Sequence, residues 1–98
     1  MNIIISAKNF DLNDAHREYI SEKIEHLSHY DSSITKARVE CDADKKERQG
    51  EKFRVEVWLD GKSHVKAGVQ AADLYSAIDL VTPKLKRLVI KEKERKAN

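Results

Sequence analysis

Lysine and arginine side chains recur at intervals of three and four near the end of the 98-residue chain. On a helix, with about 100° per residue, they form two basic lines. These are Lys84, Arg87, Lys91 and Arg95, within about 80° of one another, and Lys86 with Lys93 on the far side. Cations with this spacing can follow a phosphate backbone and release its counterions. The alternative is a solvated helix end, where cations also suit the negative end of the helix dipole.

The charge of the chain is unevenly distributed. Residues 84–96 contain seven Lys or Arg and only two Glu, whereas residues 1–83 contain 12 basic and 15 acidic side chains. The net charge of +2 conceals this asymmetry. The asymmetry indicates a local basic surface that would face a polyanion. The length and the 40% content of hydrophobic residues fit one domain over residues 1–98.

Metal-binding and catalytic chemistry have little support in the sequence. The potential metal ligands do not have the spacing of a zinc site; they are His26, His29, Cys41 and His64. There is no nucleophile elbow, glycine-rich phosphate loop or Cys–His motif. Asp42 and Asp44 could form a carboxylate pair, but their place before a polar turn favours solvation. We therefore predict no metal, no cofactor, no small-molecule substrate and no enzymatic activity, and keep a small hydrolase as a remote third alternative.

The single Cys41 cannot form an internal disulfide, which suits a reducing compartment. No apolar run approaches the length of a membrane span, and the first ten residues do not resemble a signal peptide. These features predict a cytoplasmic protein without a membrane partner.

The hydrophobic periodicity predicts an α+β fold with the order β-α-β-β-β-α. Strands are expected over residues 2–7, 34–44, 53–60 and 64–71, and an amphipathic helix from a cap at Asn13 to about residue 29. The run Ile3, Ile4 and Ile5 predicts burial on both faces of the first strand. Residues 45–52 predict a turn, and Asp60-Gly61 a hairpin. We expect a four-stranded mixed sheet, with the first two strands parallel and both helices packed on one face.

The last helix is predicted from a cap at Asp73, with an apolar stripe of Leu74, Ile78, Val81, Leu85 and Leu88. Pro83 either kinks this helix or starts a second one. Since the stripe has no phase slip, we favour one kinked helix. Glu92 falls on the stripe, so packing should end near Ile90, and the helix should project or fray beyond it.

Trp58 is predicted to face away from the core on the third strand. An exposed aromatic side chain can contact a partner, or it can cover the stems of Arg54 or Lys66. The first interpretation leaves open a second function: a protein-interaction module that modulates a transcription or signalling factor through the open sheet face.

Several segments resemble the family of the ribosome hibernation promoting factor and the ribosome-associated inhibitor A. In the last helix they are Asp73-Leu74-Tyr75, Ala77-Ile78-Asp79, Lys84-Leu85-Lys86-Arg87 and Lys91. In the first helix they are Leu12-Asn13-Asp14-Ala15, Arg17-Glu18-Tyr19, Lys23-Ile24-Glu25-His26-Leu27 and Tyr30. The family has the same order of elements, and the resemblance covers essentially the whole chain.

The resemblance implies a factor that binds the rRNA of the small ribosomal subunit, in the channel for mRNA and tRNA, and blocks translation in stationary or stressed cells. Lys84, Arg87 and Lys91 match the basic positions of the family's last helix, and Arg17 and Lys23 match the basic flanks of its first. Two departures are Pro83, in place of an ordinary helix residue, and the end of the chain at residue 98. The chain is accordingly expected to be a short form or the N-terminal domain of a long form, with weak self-association at most.

Overall fold

The predicted order of elements is confirmed by a computed structural model, which describes residues 1–44 and 52–97. The elements are β1 (Asn2–Lys8), α1 (Asp14–Glu25), a 3-10 turn (His26–His29), β2 (Lys36–Ala43), β3 (Phe53–Asp60), β4 (His64–Ala71) and α2 (Leu74–Ala97). The predicted turn at residues 45–52 lies, except for residue 52, outside the described part of the chain.

The four strands form one sheet in the order β1-β2-β3-β4. β1 pairs with β2 in parallel, and the other two pairs are antiparallel, as predicted. The strands are in register so that Ile4, Arg38, Trp58 and Lys66 lie opposite one another in a row across the sheet. Because side chains alternate along a strand, this row points to the face opposite the core.

The core lies between one face of the sheet and the two helices. Val39, Val57 and Leu59 are buried from the sheet side, and Ile24 and Leu85 from the helix side. Burying each such side chain stabilises the fold by about 1.5–3 kcal/mol before chain entropy is counted. α2 packs on β3, β4 and α1, whereas the helices leave the other sheet face uncovered. Both helices therefore lie on one face, as predicted.

The prediction that β1 is buried on both faces is wrong. β1 is an edge strand, and the helices cover only one sheet face. Ile3 and Ile5 pack against the core, but Ile4 points outward and is 43% exposed. A run of β-branched residues indicates strand propensity, but it does not determine how many layers cover the sheet.

α1 begins at the predicted cap. The Asn13 side chain accepts a hydrogen bond from the His16 backbone N–H (2.8 Å), and the His16 ring accepts one from the Asn13 backbone N–H (3.2 Å). This reciprocal pair satisfies two N–H groups that lack partners within the helix. The α-helix ends at Glu25, and the 3-10 turn continues to His29, so the predicted end of the segment is correct.

α2 is one helix through Pro83, as favoured from the sequence. Asp73 caps it, since its side chain accepts a hydrogen bond from the Ser76 backbone N–H at 2.8 Å. The predicted stripe is buried as far as Leu85, whereas its last member, Leu88, is only partly buried. The adjacent Val89, which was not in the predicted stripe, is also buried. From Lys91 to Lys96 the side chains are exposed except that of Glu92, yet the helix remains regular to Ala97 rather than fraying.

The hairpin after Asp60 is confirmed, and it packs tightly against the loop before β2. A Cβ atom at Gly61 would lie 2.7 Å from the Ser33 carbonyl oxygen, so a side chain there would collide with the backbone. The Lys62 backbone N–H donates to the Ser33 hydroxyl at 3.1 Å. This contact brings the hairpin to the side of the molecule where α2 ends.

Candidate nucleic-acid interface

The predicted basic line on α2 extends along the side of the helix that faces β4. Lys84, Arg87 and Lys91 are exposed. The Lys84 ammonium donates to the Gly68 carbonyl on β4 at 3.1 Å. Arg87 and Lys91 form no hydrogen bond or ion pair within residues 1–44 and 52–97, so their charge faces solvent.

Arg95 is in the same line but is partly neutralised. Its guanidinium lies 2.8 Å from the Glu92 carboxylate, one turn earlier. The hydrogen bond from Arg95 lowers the pKa of Glu92, so the pair stays charged at neutral pH. Because the Arg95 side of the pair is solvent-exposed, the pair adds little stability, but it reduces the positive potential that Arg95 presents.

The second basic line faces α1 and the loop after it. The Lys86 ammonium lies 4.8 Å from the centre of the Tyr30 ring, and the Lys93 ammonium donates to the Tyr30 carbonyl at 3.3 Å. Lys96 donates to the Lys62 carbonyl on the hairpin. The last turns of α2 are therefore joined to two loops through Lys93 and Lys96, and each ammonium keeps its charge and further N–H donors, as that of Lys84 does.

The two basic residues predicted on α1 lie on different sides of that helix. They are six residues apart, which places them about 120° apart around the axis. Lys23 lies on the side of α2, with its ammonium 5.5 Å from the centre of the Tyr19 ring. Arg17 is exposed, with no hydrogen bond or ion pair in the described chain, and it belongs to the other side of α1. Lys23 thus joins the α2 cations, and Arg17 does not.

One contact that joins the two helices was not predicted from the sequence. The Tyr19 hydroxyl on α1 donates to the Asp79 carboxylate on α2. This hydrogen bond, together with the nearby negative charge, raises the pKa of Tyr19 above its ordinary value. The Tyr19 ring also meets the Tyr75 ring edge-on at 4.9 Å between centroids. These contacts join α1 to α2, the two helices that carry the predicted cations.

Between the helices lies an open pocket of about 360 Å³. It is lined by Lys23, His26, Leu27, Tyr30, Thr82, Pro83 and Lys86. Two of the predicted site residues, Lys23 and Lys86, meet at this pocket although they are 63 positions apart. Tyr30, Thr82 and Pro83 complete it, and only tertiary packing could assign them to a site. We name this feature the interhelix pocket.

The remaining candidates were side chains for metal binding and catalysis. No three His, Cys, Asp or Glu side chains are grouped to hold a metal ion within the described chain. Burial raises the pKa of the Cys41 thiol to about 11, so at neutral pH this side chain is not the thiolate that a nucleophile or metal ligand requires. Asp42 accepts a hydrogen bond from the Asn9 side chain at 2.8 Å.

Over its described residues, neither helix has an apolar stretch that could span a bilayer.

Trp58 lies on the open sheet face, as predicted, and is half-buried there. The Arg38 guanidinium lies 4.4 Å from the centre of its ring, and the Lys66 ammonium 5.0 Å. The expected partner Lys66 is confirmed, but the second partner is Arg38 and not Arg54, because Arg38 is the residue opposite Trp58 on β2. The cations of the neighbouring strands therefore pack on the indole, which remains half-buried.

Comparisons with known proteins agree with this architecture. The family model described as "Sigma 54 modulation protein / S30EA ribosomal protein" matches residues 3–97. The chain is 35% identical over 95 residues to the ribosome hibernation promoting factor of Azotobacter vinelandii, covering 97% of this chain and 85% of that protein. It is 34% identical over 92 residues to the ribosome hibernation promotion factor of Deinococcus radiodurans, covering 93% of this chain but only 48% of that protein.

Two solved structures have the same fold. The N-terminal domain of Protein Y from Thermus thermophilus superposes with a TM-score of 0.79 at 29% identity, covering 93% of this chain and 98% of that domain. A ribosomal subunit interface protein from Coxiella burnetii superposes with a TM-score of 0.84 at 22% identity, covering 96% of this chain and 99% of that one. At that lower identity, the second likeness supports the fold alone.

Proposed function

The chain belongs to the Sigma 54 modulation protein / S30EA ribosomal protein family, and from this premise we propose that it is a ribosome hibernation factor. Its target would be the rRNA of the small ribosomal subunit, in the channel that mRNA and tRNA use. The mechanism is steric exclusion in the cytoplasm without a chemical step. Phosphate contacts would provide affinity, and the shape of the ribosomal cleft would provide specificity.

The observation that carries this proposal is the concentration of cations on the second half of α2. Lys84, Arg87 and Lys91 share one side of α2, and no acid forms an ion pair with them in the described chain. A line of exposed cations at helical spacing complements the repeating charge of a phosphate backbone.

The seven proposed rRNA-binding residues should contribute unequally. Lys84, Arg87 and Lys91 form the principal contact, and Lys86 and Lys23 extend it across the interhelix pocket. Arg95 contributes less because Glu92 accepts its hydrogen bond. Arg17 would reach only rRNA that wraps around the other side of α1. The alternative function, a protein-interaction module, would depend on the open sheet face, where Arg38 and Lys66 pack on the Trp58 ring.

The test is sedimentation of the full chain with small ribosomal subunits through sucrose gradients at increasing salt. We expect the chain to co-sediment with the subunits and the binding to weaken steeply with salt. Added mRNA and tRNA should reduce the binding by competition. In a plot of the logarithm of the affinity against the logarithm of the salt concentration, a slope near zero would contradict phosphate contacts. Binding that mRNA and tRNA leave unchanged would move the site away from the channel.

A further inference from the structure

The interhelix pocket combines an apolar floor with a basic rim. Leu27 is buried below it, and the rings of Pro83 and Tyr30 form its walls. Lys23 enters from α1 and Lys86 from α2, and His26 stands at the edge. No acidic side chain lines it. An occupant should therefore carry an apolar part for the floor and negative charge for the rim.

The rim cations are positioned by aromatic rings. Lys86 is held over the Tyr30 ring, with its ammonium 4.8 Å from the ring centre, and Lys23 over the Tyr19 ring at 5.5 Å. A cation that rests on a ring has fewer conformations than a free lysine and loses less entropy when it meets an anion. Since the two lysines come from different helices, they can contact charges on both sides of one central group.

Pro83 supplies the wall on the α2 side. Proline has no N–H, so this residue cannot donate to the carbonyl of Asp79, its usual partner four positions earlier. Proline in a helix interior is unfavourable, and here it stands two turns before the end of the buried stripe. Its exposed ring gives α2 an apolar surface beside Thr82. The Thr82 hydroxyl donates a hydrogen bond to the Ile78 carbonyl at 2.7 Å.

We propose that the interhelix pocket binds one unstacked base of a single-stranded RNA segment, with Lys23 and Lys86 on the flanking phosphates. A nucleotide has the required composition: an apolar, planar base joined to phosphates on either side. This inference rests on the proposed function and adds to it a subsite that reads a base. The line of Lys84, Arg87 and Lys91 would contact phosphates only.

The experiment distinguishes binding of the base from binding of the phosphates. Binding of the full chain is measured to two oligomers of nine ribose phosphates with the same charge. One is wholly abasic, and the other carries a single central adenine. We expect the wild type to bind the adenine oligomer about tenfold more tightly, as base stacking generally gives. Equal binding of the two, or no binding of either, would overturn the pocket proposal.

Three variants locate the effect. Pro83→Ala removes the pocket wall and favours the helix, so it should fold, and it should bring the tenfold ratio close to one. Tyr30→Ala should do the same, while Lys91→Gln, outside the pocket, should weaken binding of both oligomers and keep the ratio. A ratio that survives Pro83→Ala would overturn the assignment and place the base elsewhere.

The same variants distinguish this proposal from the proposed function. If the wild type co-sediments with small ribosomal subunits but does not discriminate between the oligomers, the pocket proposal fails and ribosome binding stands. If it does not co-sediment at all, the proposed function fails, and with it the inference. A third outcome is that Pro83→Ala weakens ribosome binding although the wild type shows no preference for the adenine oligomer. A ribosomal protein rather than RNA would then occupy the pocket, and the pocket proposal would be overturned.

Discussion

The helix layer and the open face of the sheet both carry many charged side chains, but they arrange them differently. Residues 84–96 of α2 have seven basic and two acidic side chains. The open sheet face has five basic and four acidic ones; they are Lys8, Lys36, Arg38, Arg54 and Lys66, with Glu40, Asp42, Glu56 and Asp60. The second half of α2 has a strong net positive charge, whereas the open sheet face is nearly neutral.

Strand register explains the difference. Lys36 lies opposite Asp60, and Arg54 lies opposite Asp42. The Lys66 ammonium is 3.6 Å from the Glu56 carboxylate on the neighbouring strand. On α2, by contrast, residues three and four apart share a side, so like charges are grouped. Neutralised charges solubilise a surface, whereas grouped ones attract a polyanion. The comparison teaches that the number of cations does not distinguish the proposed interface from the sheet face; the scarcity of nearby acids on α2 does.

The largest effect should come from reversing charge on the helix layer. Changing Lys84, Arg87 and Lys91 together to Glu should weaken binding to small ribosomal subunits on the order of 1000-fold, because three phosphate contacts become repulsive. Co-sedimentation at fixed salt measures the loss, and circular dichroism checks that the fold is kept.

The open sheet face offers a matched control. Lys8, Lys36 and Arg54 are also exposed and comprise two lysines and one arginine. Changing all three to Glu alters the net charge by the same amount. We expect binding to fall by only about threefold, through the weaker long-range field. Equal losses for the two triple variants would show that net charge, and not the α2 surface, determines binding.

A smaller effect should follow from removing the aromatic ring on the sheet face. Trp58→Ala deletes the contacts of the ring with Arg38 and Lys66 and should lower the free energy of unfolding by about 1–2 kcal/mol. Urea denaturation measures this change. Ribosome binding should stay within about twofold of the wild type. A folded Trp58→Ala protein that binds ribosomes but has lost its cellular function would favour the interaction module.

The smallest effect concerns the contact that spaces the two helices. Because the Tyr19 hydroxyl donates to the Asp79 carboxylate, the phenol is stabilised in its protonated form and its pKa is raised. The stability that this contact gives is present below the ordinary tyrosine pKa of about 10, and is lost as the pH rises through the raised value. In an ultraviolet absorbance titration, one of the three tyrosines should ionise later than the others.

Asp79→Asn removes the negative charge and should move the late step toward the ordinary range. Tyr30→Phe should leave the late step in place, since Tyr30 lacks this partner. If all three tyrosines of the wild type ionised together, the helices would not be joined by this hydrogen bond in solution.

The fold could be predicted from the sequence because its signals are local. Alternation identifies β2, β3 and β4, the 3.6-residue stripe identifies α2, and Asn13 and Asp73 mark the starts of both helices. The same reasoning failed for Ile4, since its exposure depends on which layers cover the sheet. The partner of Trp58 was also half wrong, because register, and not distance along the chain, selects Arg38.

The sequence by itself determined which residues are basic, and helical spacing determined that Lys84, Arg87 and Lys91 share one side of α2. Only the tertiary structure decided which cations lie near one another. It separated Arg17 from Lys23 around α1, paired Arg95 with Glu92, fastened Lys93 to a loop carbonyl, and brought Lys23 and Lys86 to one pocket. The physical reason is range: periodicity and caps act within a few residues of the chain, whereas the packing of α1 against α2 brings together side chains that are some sixty residues apart.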